Sequence, residues 1–219
     1  MAARTVLNIV NLANGITASR IALSPVFFLV FFIPLWTGEL ATTSIVLMWL
    51  LFVWIECSDI ADGEVARRTD TVTDVGKVLD PFADVFIRLT YFVCLLLGNL
   101  MPVWAFLIIM YREIGILFVR MLMYRKGVAL AARKGGKLKT VMYSVAAGAG
   151  ILLSTFNRIG VYEPESTFGL TSPFPVTDAP AYIVALAVVA TVMYLVAAVA
   201  SVMSFLDYVH VFRQSNSET

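Results

Sequence analysis

Apolar residues run through this chain in long blocks instead of alternating, and the polar residues collect in the gaps between the blocks. Stretches such as IALSPVFFLVFFIPLW at 21–36 and IVLMWLLFVWI at 45–55 carry no ionisable residue. A helix needs roughly 20 mostly apolar residues to cross the hydrocarbon of a bilayer, whereas a barrel strand needs fewer and alternates. The blocks predict spans over about 16–36, 41–60, 77–98, 101–124, 140–156 and 181–209. The expected fold class is therefore an all-α integral membrane protein, a six-transmembrane-helix bundle. TVLNIVNLA at 5–13 is short and amphipathic and reads as an N-terminal interfacial helix. Residues 158–180, rich in Pro, Ser and Thr, read as a long loop. There is no internal repeat, so 1–219 is taken as a single membrane domain: 1–15 interfacial helix, 16–209 bundle, 210–219 polar tail. The first apolar run continues for a full span without a small-residue cleavage pattern, and reads as a span and not as a cleavable signal.

Composition supports this class. Hydrophobic residues make up 60% of the 219 and charged ones only 14%, with a mean hydropathy of +0.86. The net charge of +1 conceals an uneven distribution. Arg4, Arg67, Arg68, Lys77, Arg125, Lys126, Arg133, Lys134, Lys137, Lys139 and Arg213 fall on one side of the predicted spans, and Arg158 on the other. The excess of basic residues in cytoplasmic loops then places both termini and both basic loops in the cytoplasm, with a bacterial inner membrane as the expected location. Lys126, Arg133 and Lys134 suit topology determinants or contacts to anionic lipid heads. Cys57 and Cys94 both lie in apolar blocks and read as small buried hydrophobes. His210, near the end of the last span, reads as structural.

Against this background SDIADGEVARRTDTVTDVGKVLDPFAD at 58–84 stands out, because it holds seven of the 15 acidic residues. Residues three and four apart share a helix face. Asp59, Asp62, Gly63, Ala66 and Arg67 thus form one stripe at the end of the second span, and Asp80 and Asp84 another at the start of the third. TDTVTDVG at 69–76 reads as a polar turn, and Pro81 as a residue near a helix start. A short connection brings the two stripes face to face. Four carboxylates so placed repel one another unless a cation lies between them, and hard oxygen ligands suit Mg²⁺, Mn²⁺ or Ca²⁺; two such ions can bridge carboxylates and a diphosphate. Any of the four acids could serve as a base. Gly63 and Ala66 permit close approach of a nucleotide, Arg67 an anion contact, and Gly76 a tight turn or close helix approach. Glu64, Asp70 and Asp74 read as solvated loop acids. An EF-hand reading of DIADGE fails, since the twelfth position is Asp70 and not the closing Glu.

The spacing Asp59-x2-Asp62-Gly63-x2-Ala66-Arg67-x8-Gly76-x3-Asp80-x3-Asp84 resembles the signature of the CDP-alcohol phosphotransferase family. That resemblance implies six membrane helices, a cytoplasm-facing site, a homodimer, and transfer of a phosphatidyl or related group from a CDP-linked lipid to an alcohol with release of CMP. It further implies that Asp59, Asp62, Asp80 and Asp84 hold two divalent cations, Mg²⁺ or Mn²⁺, and that Asp84 deprotonates the acceptor hydroxyl. Asp62, Gly63, Ala66, Arg67 and Gly76 would border the CDP-lipid. Ser58 stands where many relatives have Thr, which leaves the reading intact.

Ionisable residues inside spans are costly and default to functional or paired roles. Arg112, Glu113 and Arg120 lie in the fourth span, with Arg112 and Arg120 two turns apart on one face. Lys137 and Lys139 stand at the entrance to the fifth. Together these cations are expected to form a pocket beside the metals for an acceptor that itself carries phosphate; the plain alternative is basic-side anchoring plus an Arg112 to Glu113 or interhelical ion pair. The segments YRE at 111–113, Arg120, GKLKT at 136–140 and N-x2-T-x2-R at Asn14, Thr17 and Arg20 are similar to those of family members that use sn-glycerol 3-phosphate. The expected reaction transfers the phosphatidyl group of CDP-diacylglycerol to glycerol 3-phosphate, giving phosphatidylglycerophosphate and CMP. Other acceptors, such as inositol phosphate, serine or phosphatidylglycerol, remain open. A transporter using the acids for a coupling cation is disfavoured by the absence of a repeat or midplane break. No nucleic-acid partner is expected.

Overall fold

A computed structural model describes residues 12–69, 76–125, 134–163 and 179–217; for residues 12–13, 60–69, 77–78, 124–125, 134–138 and 207–217 it describes the backbone alone. Six α-helices and no strand occur among the described residues: α1 Leu12–Thr37, α2 Ala41–Thr69, α3 Gly76–Leu97, α4 Val103–Arg125, α5 Lys134–Arg158 and α6 Ala181–Ser217. Their order and approximate bounds follow the apolar blocks. The proposed interfacial helix at 5–13, the acids Asp70 and Asp74 of the polar turn, and most of the 158–180 loop lie outside the described residues. Within α1, α2, α5 and α6, four segments are long and apolar enough to cross a membrane: Asn14–Thr37, Ala41–Asp59, Lys139–Arg158 and Ala181–Leu206. Helices α3 and α4 are of spanning length but carry several ionisable residues each. Among the described residues the fold is all-α, and its long apolar helices have the length and composition of membrane spans.

Helix ends follow local chemistry. At the end of α3, Asn99 adopts a left-handed conformation (φ 58°) while the Leu100 N–H bonds the Leu95 carbonyl at 2.8 Å. Gly160 (φ 75°) closes α5 in the same way, with the Val161 N–H on the Phe156 carbonyl at 3.0 Å. These are the residue types that tolerate this conformation best. Pro81 is a correction in detail: α3 begins at Gly76, so Pro81 lies inside the helix and not in its first turn.

The chain divides into two compact units, Met1–Cys94 and Leu95–Thr219. In the first, α1 packs on α2. Its buried positions include Asn14, Thr17, Arg20, Ser24, Phe27 and Phe31, a stripe of helical period that is polar at one end and aromatic at the other, where Val30 and Phe32 are buried as well. The aromatic end is continued by Tyr91, whose ring lies 4.8 Å from that of Phe27 and 5.4 Å from that of Phe52. Pro34 lies inside α1 and lacks the N–H that would bond the Val30 carbonyl. Ser44 of α2 supplies the substitute: its buried hydroxyl donates to the Val30 oxygen at 2.5 Å. Ser44→Ala is expected to lower unfolding free energy by about 1–3 kcal/mol, the cost of a buried unsatisfied carbonyl. In a Pro34→Ala background, where residue 34 regains its own donor, the same change should cost less than half as much. Equal costs in the two backgrounds, measured by thermal unfolding in detergent, would refute this account.

In the second unit α6 packs on both α4 and α5. Its buried face is built mostly from small residues, Ala187, Ala190, Ala197, Ala198 and Ser201, with Ile183 and Tyr194 among them. Small residues allow membrane helices to approach closely, which matters where burial from water cannot drive association. Gly150 shows how close: a Cβ there would meet the Tyr194 hydroxyl and lie 2.5 Å from Leu95 Cδ1. Gly150→Ala is therefore expected to destabilise by about 1–3 kcal/mol through overpacking, and Gly150→Ala with Tyr194→Phe by less. The check is the detergent melting temperature of each. Cys94 is buried as expected, but Cys57 is a correction: it is exposed, on the same face of α2 as the exposed Val53 and Trp54, and neither cysteine is in a disulfide.

Candidate active site

The polar end of the first unit assembles residues from three helices. Arg20 of α1 is 1% exposed, although it is the most polar side chain in that part of the core. One guanidinium nitrogen, NH1, reaches Asp59 Oδ1 of α2 and also lies 3.2 Å from Asp84 Oδ1 of α3. The second Asp84 oxygen accepts from Arg88 NH2 at 3.4 Å. One turn before Arg20, the fully buried Thr17 donates to Asp80 Oδ1 at 2.8 Å. Asn14, one turn earlier again, is also buried. Asp59 of α2 and Asp84 of α3 thus share one guanidinium, and Thr17 of the same α1 face holds Asp80. A buried arginine costs several kcal/mol of desolvation unless its partners are well placed, and here two carboxylates hold it.

Beside these acids opens a pocket lined by Arg20, Ile55, Glu56, Asp59, Asp84, Ile87 and Arg88. Its three carboxylates exceed its two guanidinium groups, which favours a further cation. All the acids offer hard oxygen donors, the set suited to Mg²⁺ or Mn²⁺. Among the described residues no group of three or more His, Cys, Asp or Glu side chains is placed to hold a metal ion; the side chain of Asp62, the fourth acid of the motif, is not among those described. The donor chemistry and the charge excess fit a divalent cation.

Asp62, Gly63, Ala66 and Arg67 lie on the last turns of α2, where the structure describes the backbone alone, and Gly76 is the buried first residue of α3. Two residues went unremarked in the sequence: Glu56, three before Asp59, and Arg88, four after Asp84. Each extends its acidic stripe one helical turn deeper, and that spacing was the available signal.

The second unit holds another buried polar cluster. Arg112 NH1 donates to Glu113 Oε1 at 2.8 Å, and Lys139 Nζ of α5 reaches the same oxygen at 2.5 Å. The Tyr143 hydroxyl donates to it at 3.1 Å and lies 2.6 Å from Ser201 Oγ of α6. Arg112 NH2 donates to Ser204 Oγ at 2.6 Å. Arg112, Glu113 and Lys139 are all at most 6% exposed. Of the predicted cationic set, Arg112 and Lys139 are brought together; Arg120 lies farther along α4, and Lys137 in the first turns of α5 has only its backbone described. Tyr143, Ser201 and Ser204 were missed because no spacing within one helix connects them to Arg112.

The sequence profile of the family described as CDP-alcohol phosphatidyltransferase matches residues 10–212. The chain belongs to that family, whose members generally use divalent metals. A CDP-diacylglycerol–glycerol-3-phosphate 3-phosphatidyltransferase of Treponema pallidum is 39% identical over 151 residues, covering 65% of this chain and 68% of the relative. The enzyme of the same name from Bacillus subtilis is 34% identical over 148 residues, 65% of this chain and 77% of its own. A probable phosphatidylglycerophosphate synthase of Mycobacterium tuberculosis is 36% identical over 145 residues, covering 66% and 67%.

Proposed function

We propose that this protein transfers the phosphatidyl group of CDP-diacylglycerol to the primary hydroxyl of sn-glycerol 3-phosphate, releasing CMP and forming phosphatidylglycerophosphate in phospholipid biosynthesis. The observation that carries the reading is the meeting of Asp59, Asp80 and Asp84, from two helices, around Arg20 and Thr17 of a third. The names of the relatives from Treponema, Bacillus and Mycobacterium support the choice of acceptor.

Asp59, Asp62, Asp80 and Asp84 would hold two divalent ions, which when bound supply charge neutralisation for the diphosphate and the departing CMP. Asp84 accepts the proton of the acceptor hydroxyl, whose oxygen attacks the phosphorus of the phosphatidyl group as the bond to CMP breaks. Arg20 orients the Asp59 and Asp84 carboxylates, and Thr17 orients Asp80. Gly63, Ala66 and Arg67 border the cytidine nucleotide, and Asp62 and Gly76 complete the CDP-lipid site. Arg112, Arg120, Lys137 and Lys139 hold the acceptor phosphate. In this reading α3 and α4 complete six membrane crossings, an interfacial helix precedes them, the site and both termini face the cytoplasm, and the protein works as a homodimer.

The test is CMP release by purified protein in mixed micelles of CDP-diacylglycerol with Mg²⁺ or Mn²⁺, supplying glycerol 3-phosphate, inositol phosphate, serine and phosphatidylglycerol singly. Release with glycerol 3-phosphate alone is expected. Release with another acceptor alone would overturn the acceptor assignment and leave the acidic site standing.

A further inference from the structure

Lys139 and Arg112 come from different helices, yet both bond one carboxylate oxygen, Oε1 of Glu113, at 2.5 and 2.8 Å. That oxygen also accepts from Tyr143, whose hydroxyl is tied to Ser201, while Arg112 is tied by a second nitrogen to Ser204. Glu113 is 3% exposed. An ammonium and a guanidinium buried this close repel each other, and in a low-dielectric interior that repulsion is large. A single central carboxylate converts the repulsion into a fixed arrangement and leaves the cluster of Arg112, Glu113 and Lys139 with an excess positive charge. An anion then meets donors that already stand in place, which removes much of the ordering cost of binding.

We infer that Glu113 is a positioning residue of the acceptor site: it acts as the internal counter-ion that sets the spacing of Arg112 and Lys139 for a phosphomonoester, with Tyr143 and the α6 serines fixing the carboxylate and the guanidinium in turn. The inference rests on the acceptor-site reading proposed above. It assigns Glu113, Tyr143, Ser201 and Ser204 a part in acceptor affinity, where a purely structural brace would contribute to stability alone.

The experiment measures KM for glycerol 3-phosphate, KM for CDP-diacylglycerol, kcat and melting temperature for Glu113→Gln, Tyr143→Phe, Arg112→Met and Lys139→Met. Glu113→Gln is expected to raise KM for glycerol 3-phosphate at least tenfold, with kcat and KM for CDP-diacylglycerol within about threefold of the parent. Tyr143→Phe removes one bond to the carboxylate without removing charge, and a two- to fivefold rise is expected; it keeps the inference testable should Glu113→Gln not fold. If Arg112→Met and Lys139→Met raise this KM while Glu113→Gln and Tyr143→Phe only lower the melting temperature, Glu113 is a structural brace and the inference fails alone. If none of the four changes KM for glycerol 3-phosphate, the acceptor-site reading fails as well.

Discussion

Asp84→Asn is expected to reduce CMP release by about 10²–10⁴-fold, the usual contribution of a positioned general base, with the protein still folded. Asn keeps the shape of the side chain but only one accepting oxygen, so one of the two bonds that locate Asp84, to Arg20 and to Arg88, is weakened and the other is lost. What is lost is the ability to take a proton, together with one anionic donor for a divalent ion. Asp59→Asn and Asp80→Asn should also impair turnover, but through the metal requirement: raising Mg²⁺ or Mn²⁺ is expected to recover part of their activity and little of that of Asp84→Asn. CMP release near the parental level in Asp84→Asn would eliminate Asp84 as the base. Full recovery of Asp84→Asn by excess metal would reduce it to a ligand.

Arg20→Met is expected to be the most destabilising single change at this site. The guanidinium is the common partner of Asp59 and Asp84, and removing one member of a buried ion pair costs about 3–5 kcal/mol when the charge left behind stays buried. The side chains of Asp59 and Asp84 are 34% and 30% exposed, so water softens the penalty and about 2–3 kcal/mol is the expected loss in the absence of divalent ions. Divalent cations should then stabilise the variant more than they stabilise the parent, because they take over neutralisation of the two carboxylates. Melting curves in detergent with EDTA and with Mg²⁺ measure this directly, without reference to turnover. The same Mg²⁺-induced shift in both proteins would show that Arg20 and the metal do not share the carboxylates.

Both predictions turn on the same residue pair, and the sequence showed one half of it far more clearly than the other. Asp59 and Asp84 sit in stripes whose spacing announces a shared face. A metal was expected among these acids; the structure adds Arg20, which reaches both from 39 positions away in the case of Asp59 and 64 in that of Asp84. Arg20 was in view through its place in N-x2-T-x2-R, but its partners were not, because nothing local to α1 specifies which helix end its buried face will meet. The same holds for Ser44, whose bond to the carbonyl freed by Pro34 crosses between two helices. In α4, the adjacency of Arg112 and Glu113 permitted an ion pair to be anticipated, whereas Lys139, Tyr143, Ser201 and Ser204 were joined to it only by the packing of α5 and α6.

By itself the sequence determined the class of the protein, the order and approximate extent of its helices, and which carboxylates share a helix face. These are fixed within single segments, by the length of an apolar run and by the 3.6-residue period that sets which side chains share a face. Tertiary structure alone decided which stripe faces which: Arg20 between Asp59 and Asp84, Thr17 on Asp80, and Glu113 as the meeting point of Arg112 and Lys139. Those pairings depend on how helices cross and how closely small residues such as Gly150 let them approach, and contacts between segments tens of residues apart leave no periodic trace in either one.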